Sequence, residues 1–436
     1  MLSIGIASTG VLTLAYFALA GHLLDHGGKR VSSQYSHLDV LWSVMFVIIS
    51  VIYRPIEQLL SRTIADHEAR GIAGLPMRVP MTIQGAFAVV FLLVALPLHG
   101  ELADHVFYSD TLYWIFVVGI VAYAASYFAR GWLAGHRYFA LYGGLVFMEA
   151  SSRIIFALAA AVGITHGQSA IAIGIAAAPF VSLVVVPAAF ASRATREQKP
   201  APATDAALEG PAAEGIEEAV SDLSIRRGSG FAISVSAIQL AEQTLLNAAV
   251  LTIAATSGSG SPLPGVVFNV LLITRAPLQL FQAIQTSLLP HLAGLEVTQG
   301  RAAFARAIRL TVLAIAAFAA AVAIGLLAVG PFVLHHVFHN TYAYQRLGLA
   351  LIAVGMGLHL SAGALNQAAL ARGQAAVAAG LWLLAAAIFV GWMISGAIAN
   401  QILRTEVGYA GATALLALAL AALYRRGSPT ASASAT

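Results

Sequence analysis

Six charged side chains stand inside long apolar runs: Arg54, Glu57, Glu149, Arg153, Glu242 and Arg275. A charge is expensive there, and its presence marks a site by default. A guanidinium offers a planar fork of donors and stays charged, which suits phosphate. Arg54, Arg153 and Arg275 are therefore candidate ligands for an anionic headgroup. The carboxylates Glu57, Glu149 and Glu242 suit ion pairing or the capture of a coupling cation, H+ or Na+. Glu149 and Arg153 are four residues apart, a spacing that suits a local pair on one helix face. Glu242 and Arg275 lie near the middle of their runs and suit a pair across adjacent helices. Arg54 and Glu57 lie nearer a run's end, from which both can snorkel to the interface. Gln239, Gln243 and Asn247, with Ser236 and Thr244, form a polar stripe suited to lining a cavity or to hydrogen bonding between helices. Pro55 and Pro277 follow the arginines closely. Each removes a hydrogen bond inside its helix, which makes both candidate hinges.

The elements that must hold these groups follow from composition. Of 436 residues 59% are hydrophobic and 10% charged, against roughly 25% charged in soluble domains. A soluble fold of this length cannot bury so much apolar surface and keep a wettable exterior. The net charge of +4 is too small and dispersed to argue for nucleic acid, and it suits anionic membrane lipids. The absence of cysteine excludes disulfides, thiolate metal sites and a cysteine nucleophile.

A helix needs about 20 apolar residues to cross the hydrocarbon core. Such runs occupy 2–24, 38–60, 79–98, 111–130, 141–164 and 169–191, then 230–254, 264–286, 308–334, 345–370, 376–398 and 405–424. The first lacks a basic leader and reads as a retained helix. The expected fold is an all-α polytopic membrane protein of about twelve transmembrane helices, in two parallel six-helix halves around a central cavity. Of the 23 Lys and Arg, three (Arg54, Arg153, Arg275) lie inside spans. With the N-terminus in the cytoplasm, only Lys29, Arg30, Arg346 and Arg404 fall outside, and the rest are cytoplasmic. This bias puts both termini inside. Histidines such as His26, His37, His99, His105 and His166 favour the outer side, which suits neutral polar filling or pH sensing. His335, His336 and His339 are close enough to share a metal, but no carboxylate lies nearby and no metal is expected.

Residues 192–228 are polar and rich in proline and acidic residues, the composition of a flexible cytoplasmic linker. They separate an N-terminal half (1–191) from a C-terminal half (229–426), and 427–436 read as a disordered cytoplasmic tail. The halves echo each other: VIYRPIEQLLSR in span 2 and LITRAPLQLFQAIQ in span 8 each place an arginine, a proline and a glutamine (Gln58, Gln279) in similar order. Parallel repeats about an axis normal to the membrane are a transporter architecture with the substrate site between the halves.

Arg54, Pro55, Glu57 and Gln58, the span-8 text RAPLQLFQAIQTSLLPHLA, and the basic amphipathic stretch RAAFARAIRL that follows it resemble a bacterial polysaccharide-export flippase. These flippases belong to the multidrug/oligosaccharidyl-lipid/polysaccharide exporter superfamily. The resemblance implies a glycan on a polyprenyl-diphosphate carrier, flipped from the inner to the outer leaflet of the bacterial plasma membrane by alternating access. It also implies a diphosphate held by cavity arginines, Arg54, Arg153 and Arg275 here, no cofactor, and partnership with other polysaccharide-assembly proteins. Relatives that flip the peptidoglycan precursor carry two further helices, which this sequence lacks.

Two rivals stay open. A cation-coupled multidrug exporter of the same superfamily would use acidic cavity residues, and Glu149 and Glu242 keep it in view. A membrane glycosyltransferase or polysaccharide polymerase would need a sizeable outer loop. The outer loops here are short, Glu101, Asp104 and Asp110 have no catalytic arrangement, and SGSGSPLPG lacks the strand-to-helix setting of a phosphate cradle. The chain is therefore not expected to be an enzyme.

Overall fold

The computed structural model describes residues 2–24, 33–70, 78–185, 187, 214–258, 261–272, 278, 300–337 and 344–426. The described residues form helices joined by short turns, with no strand among them. In the N-terminal half the helices are α1 (Leu2–Leu24), α2 (Ser33–Arg70), α3 (Arg78–Ala95), α4 (His99–His105), α5 (Asp110–Gly135), α6 (Phe139–Ala161) and α7 (Gly167–Ser182). The C-terminal half has α8 (Glu214–Ser257), α9 (Leu263–Leu272), α10 (Gly300–Val337), α11 (Arg346–Ala371), α12 (Ala375–Ser395) and α13 (Gln401–Arg426).

A helix stands at each of the twelve expected spans. Among the described residues, 9 helices are long and apolar enough to cross a membrane unaided. The expected span at 79–98 is instead a bent pair, Pro80–Ala95 and His99–His105, meeting at 71°. Pro97 sits at the break, where its missing N–H and its ring stop the helix. Of the eighth expected span, 264–272 and 278 are described; Arg275 and Pro277 lie outside the described residues. So do residues 192–213 of the expected linker, while 214–228 open α8.

The two halves repeat their packing. In the first, α1 lies on α6, and α7 on both α5 and α6; in the second, α8 lies on α12, and α13 on both α11 and α12. These are the same pairings displaced by six spans. The outer surface is apolar: Leu93, Ile155, Ile324 and Leu418 are each at least 60% exposed. Only lipid removes that much hydrocarbon from water.

Small residues bring the site-bearing helices close. A Cβ at Gly131 of α5 would stand 2.8 Å from the backbone oxygen of Glu57 on α2. At this end Leu60, Ile64, Trp132, Leu133 and Leu145 form a separate apolar cluster. The halves meet where α2 packs along α8. They meet again near the start of α2, where Tyr35 hydrogen-bonds Asn269 of α9. Beside that bond, Phe17 of α1 packs on Phe268 with ring centroids 4.7 Å apart.

Candidate functional site

A cavity of about 220 Å³ lies between the halves, and helical periodicity explains its lining. From α2 come Trp42, Phe46, Ser50 and Arg54, each four residues after the last, then Glu57. From α5 come Tyr123, Tyr127 and Arg130; from α6 come Tyr142, Val146, Glu149 and Arg153; from α8 come Gln243, Leu246 and Asn247. Steps of three and four residues keep each set on one helix face.

Arg54 crosses between the halves. Its guanidinium donates to Gln239 of α8 at 3.2 Å, and the Gln239 amide donates to Glu242 at 3.3 Å. Glu57 faces the same cavity. Its carboxylate accepts the Tyr142 hydroxyl at 2.7 Å.

Glu149 corrects an expectation. Its partner is Arg130 of α5, joined by a salt bridge, and not Arg153 on its own helix. Ser126 and Ser182 also donate to this carboxylate, which is 2% exposed. A buried carboxylate is stable only with such a full set of donors, and three neighbouring positions supply it. The apolar run of span 4 stops at residue 130, so the sequence places Arg130 in a loop. The helix continues to Gly135, which puts Arg130 one turn inside, with its guanidinium 4.4 Å from the Tyr127 ring centroid.

Arg153 is the unusual cation. It is 3% exposed. It donates to the Tyr123 hydroxyl at 3.2 Å and lies 5.1 Å from the Trp42 ring centroid. Among the described residues it has no carboxylate within salt-bridge distance, and its Nε has no hydrogen-bond partner. A cation on an aromatic face gains about 2 kcal/mol when desolvated, less than the several kcal/mol that burying an ion costs.

The polar stripe of α8 divides. Gln243 and Asn247 line the cavity and bond each other at 3.3 Å, and Gln239 faces Arg54. Sequence reasoning missed Arg130, the aromatic wall of Trp42, Tyr123 and Tyr127, and Asp39. Asp39 is fully buried. It sits one residue inside the apolar run, but α2 starts at Ser33, so it is nearly two turns deep.

No protein-family model matches the sequence, and no curated protein sequence does. The structure, in contrast, matches solved membrane proteins over nearly its whole length. A mutant form of the Vibrio cholerae MATE transporter VcmN aligns with TM-score 0.65 at 15% identity, covering 98% of this chain and 94% of that one. The eukaryotic MATE transporter AtDTX14 aligns with TM-score 0.65 at 15% identity, covering 97% and 93%. The lipid II flippase MurJ in an inward closed conformation aligns with TM-score 0.66 at 10% identity, covering 98% and 87%. The chain has the fold of MATE transporters and of MurJ.

Within this MATE and MurJ fold a second polar cluster lies in the C-terminal half, in a pocket of about 40 Å³. Glu242 stands 3.8 Å from His359 Nε2, and His359 Nδ1 is 3.4 Å from the Tyr409 hydroxyl. The expected Glu242–Arg275 pair involves a residue outside the described ones. No group of three metal-ligating side chains suited to an ion occurs among the described residues. His335 and His336 are exposed at the end of α10, and His339 lies outside the described residues.

Proposed function

We propose that the chain is a membrane transporter that flips a polyprenyl-diphosphate-linked oligosaccharide from the inner to the outer leaflet by alternating access, for cell-surface polysaccharide assembly. The observation that carries this reading is Arg153, a buried guanidinium on the cavity wall with aromatic partners and, among the described residues, no carboxylate within salt-bridge distance. A diphosphate entering the cavity supplies the missing counter-charge, and Arg54 reaches the same space. Arg275 is the third proposed ligand. The glycan follows the headgroup, and the aromatic wall of Trp42, Phe46 and Tyr127 suits sugar faces. The polyprenyl chain stays in the bilayer. At about 220 Å³ the cavity is below the ~300–1,000 Å³ usual for ligand sites, which fits a closed form that widens to load. Pro55, in α2 beside Arg54, is the proposed hinge. The membrane is a bacterial plasma membrane, with both termini in the cytoplasm.

A second reading, a cation-coupled multidrug exporter, draws on Glu57. Its carboxylate sits in an aromatic-walled cavity and suits an organic cation.

The deciding experiment is a leaflet assay in proteoliposomes with a fluorescent polyprenyl-diphosphate sugar. Wild type is expected to flip it, and Arg54→Ala, Arg153→Ala and Arg275→Ala to lose most of the rate while still folding. No flipping by wild type, with proton- or sodium-driven efflux of a cationic dye, overturns the flippase reading in favour of the exporter.

A further inference from the structure

We infer that Arg137, in the turn between α5 and α6, is a docking residue for a lipid phosphate beside the central cavity, separate from the groups that line the cavity itself. Its purpose rests on the proposed transporter reading; its place rests on the geometry of two equivalent turns.

The α5–α6 turn has a twin. Six spans later the α11–α12 turn closes with the same backbone hydrogen bonds. In the first, the Arg137 N–H donates to the Ala134 carbonyl at 3.0 Å and the Tyr138 N–H to Leu133 at 2.8 Å. In the second, the Gly373 N–H donates to Leu370 at 3.1 Å and the Gln374 N–H to Ala369 at 2.9 Å. Each turn needs one left-handed residue: Arg137, with φ 59°, and Gly373, with φ 71°. Glycine takes that conformation freely, whereas a residue with a Cβ is strained in it. Room does not separate the two turns, because a Cβ at Gly373 would meet nothing within 4 Å. The first half thus carries strain where the second avoids it, and carries it on a cation. Strain held in this way points to a function for the side chain.

The arginines of the two turns are used differently. Arg372 belongs to the framework. Its guanidinium lies 4.8 Å from the Phe304 ring centroid and 4.6 Å from that of Tyr424, and it donates to the Tyr424 carbonyl at 3.2 Å. It ties the ends of α10, α11 and α13 together. Arg137 is exposed, and among the described residues no side-chain hydrogen bond or ion pair holds it. A cation near a helix C-terminus complements the macrodipole, but any residue of the last turn can do so without a positive φ.

The surroundings give Arg137 its depth. Trp132, His136 and Tyr138 pack ring against ring at the turn, with centroids from 4.4 to 6.1 Å apart. Trp and Tyr collect at the headgroup level of a bilayer. Phe139 is 47% exposed and offers hydrocarbon beside the cation. The cavity begins close by: its lining includes Arg130 of α5 and Tyr142 of α6, roughly 10 and 8 Å from Arg137 along the two helix axes. Gly135 packs against Ile64, so the turn stands beside the stretch of α2 that continues from Glu57. A cation at headgroup depth next to exposed hydrocarbon matches a phosphate carried on an apolar chain. A phosphate resting there has only this short distance to cover to reach the cavity.

The test uses the detergent-solubilised full chain, with farnesyl diphosphate, short-chain phosphatidylglycerol and inorganic pyrophosphate as separate probes in calorimetric titrations, beside a thermal melt. The two lipid titrations are run in an Arg153→Met background, which weakens the cavity as a competing phosphate site. Arg137→Gly removes the charge and the strain together. It is expected to melt no lower than its parent and to bind farnesyl diphosphate at least threefold more weakly, while pyrophosphate binding in the wild-type background stays unchanged. Arg137→Lys keeps the charge, and its farnesyl diphosphate affinity is expected within twofold of the parent's. A matching loss for phosphatidylglycerol supports the site and assigns it to lipid phosphates in general; a loss confined to farnesyl diphosphate supports it and assigns it to an isoprenoid diphosphate. Unchanged affinity of Arg137→Gly for both lipids overturns the docking residue, and a lowered melting temperature alongside assigns Arg137 to capping α5. Pyrophosphate that fails to bind wild type overturns the cavity headgroup reading, while the lipid titrations still decide the role of Arg137.

Discussion

Tyr35 of α2 donates its hydroxyl to the side-chain oxygen of Asn269 on α9, joining the two halves through residues that are 1% and 0% exposed. Arg54 bonds Gln239 19 residues further along the same helix, about 28 Å away. The halves are therefore pinned at two levels with the cavity between. Tyr35→Phe removes the donor and leaves the buried Asn269 oxygen unsatisfied, a cost of about 1–3 kcal/mol. That is enough to repopulate a two-state equilibrium. The chain has no cysteine, so cysteines placed at Gln34 and Ser261 take spin labels uniquely. In Tyr35→Phe the distance distribution between them is expected to gain a longer component. A distribution identical to that of the unmodified pair shows that the bond does not hold this end closed.

Arg130 and Glu149 make a different kind of prediction. Their salt bridge is buried and supported by Ser126 and Ser182. Removing one partner strands the other charge, at about 3–5 kcal/mol. Arg130→Met is therefore expected to lower the melting temperature in detergent sharply. Adding Glu149→Gln, which removes the stranded charge, should restore much of the loss. A double variant no more stable than Arg130→Met rules out the ion pair as the source of the stability.

Arg153 is expected to behave in the opposite way. Among the described residues no carboxylate lies within salt-bridge distance of it, so Arg153→Met is expected to leave stability unchanged or slightly higher. The same change should weaken pyrophosphate binding at least tenfold, since a charged hydrogen-bonding group lost from a buried site costs upwards of ~1.5 kcal/mol. Calorimetric titration beside a thermal melt separates the two arginines. Weak binding accompanied by a large stability loss assigns Arg153 to the framework instead.

The helices were legible in the sequence because apolar length is a strong signal, and the two halves because Arg54 and Gln58 echo a pattern around Gln279. Four charged residues that line the candidate cavity, Arg54, Glu57, Glu149 and Arg153, were legible as well, since a charge inside an apolar run stands out. What escaped were charges at run ends. Asp39 and Arg130 lie where hydropathy fades, although their helices begin five residues before the apolar run and continue five beyond it. Partner choice was not legible either. The Glu149–Arg153 spacing permits a pair, and only the approach of α5 gives Glu149 a better one. His359 escaped because a single histidine in an apolar helix carries no pattern; Glu242, Tyr409 and Trp382 reach it from three other helices.

Gly348 and Glu406 supply the last prediction. Glu406, at the start of α13, is 5% exposed and lies directly over the Cα of Gly348 on α11, so a Cβ at 348 would occupy the carboxylate's own space. The carboxylate accepts a hydrogen bond from Tyr344 in the turn before α11, and burial pushes that phenol well above its ordinary range. Tyr344 thus remains a neutral donor at any physiological pH. Gly348→Ala has no way to push the carboxylate aside without breaking this bond, because Glu406 is enclosed. Overpacking of this kind costs about 1–3 kcal/mol, and loss of the bond to a charged acceptor adds to it. The expected result is a clear fall in melting temperature for Gly348→Ala. The fall should shrink when Glu406→Ala is added, since the methyl then fills vacated space. Equal falls with and without Glu406→Ala would mean that the glycine is needed for the helix–helix approach itself and not for the carboxylate.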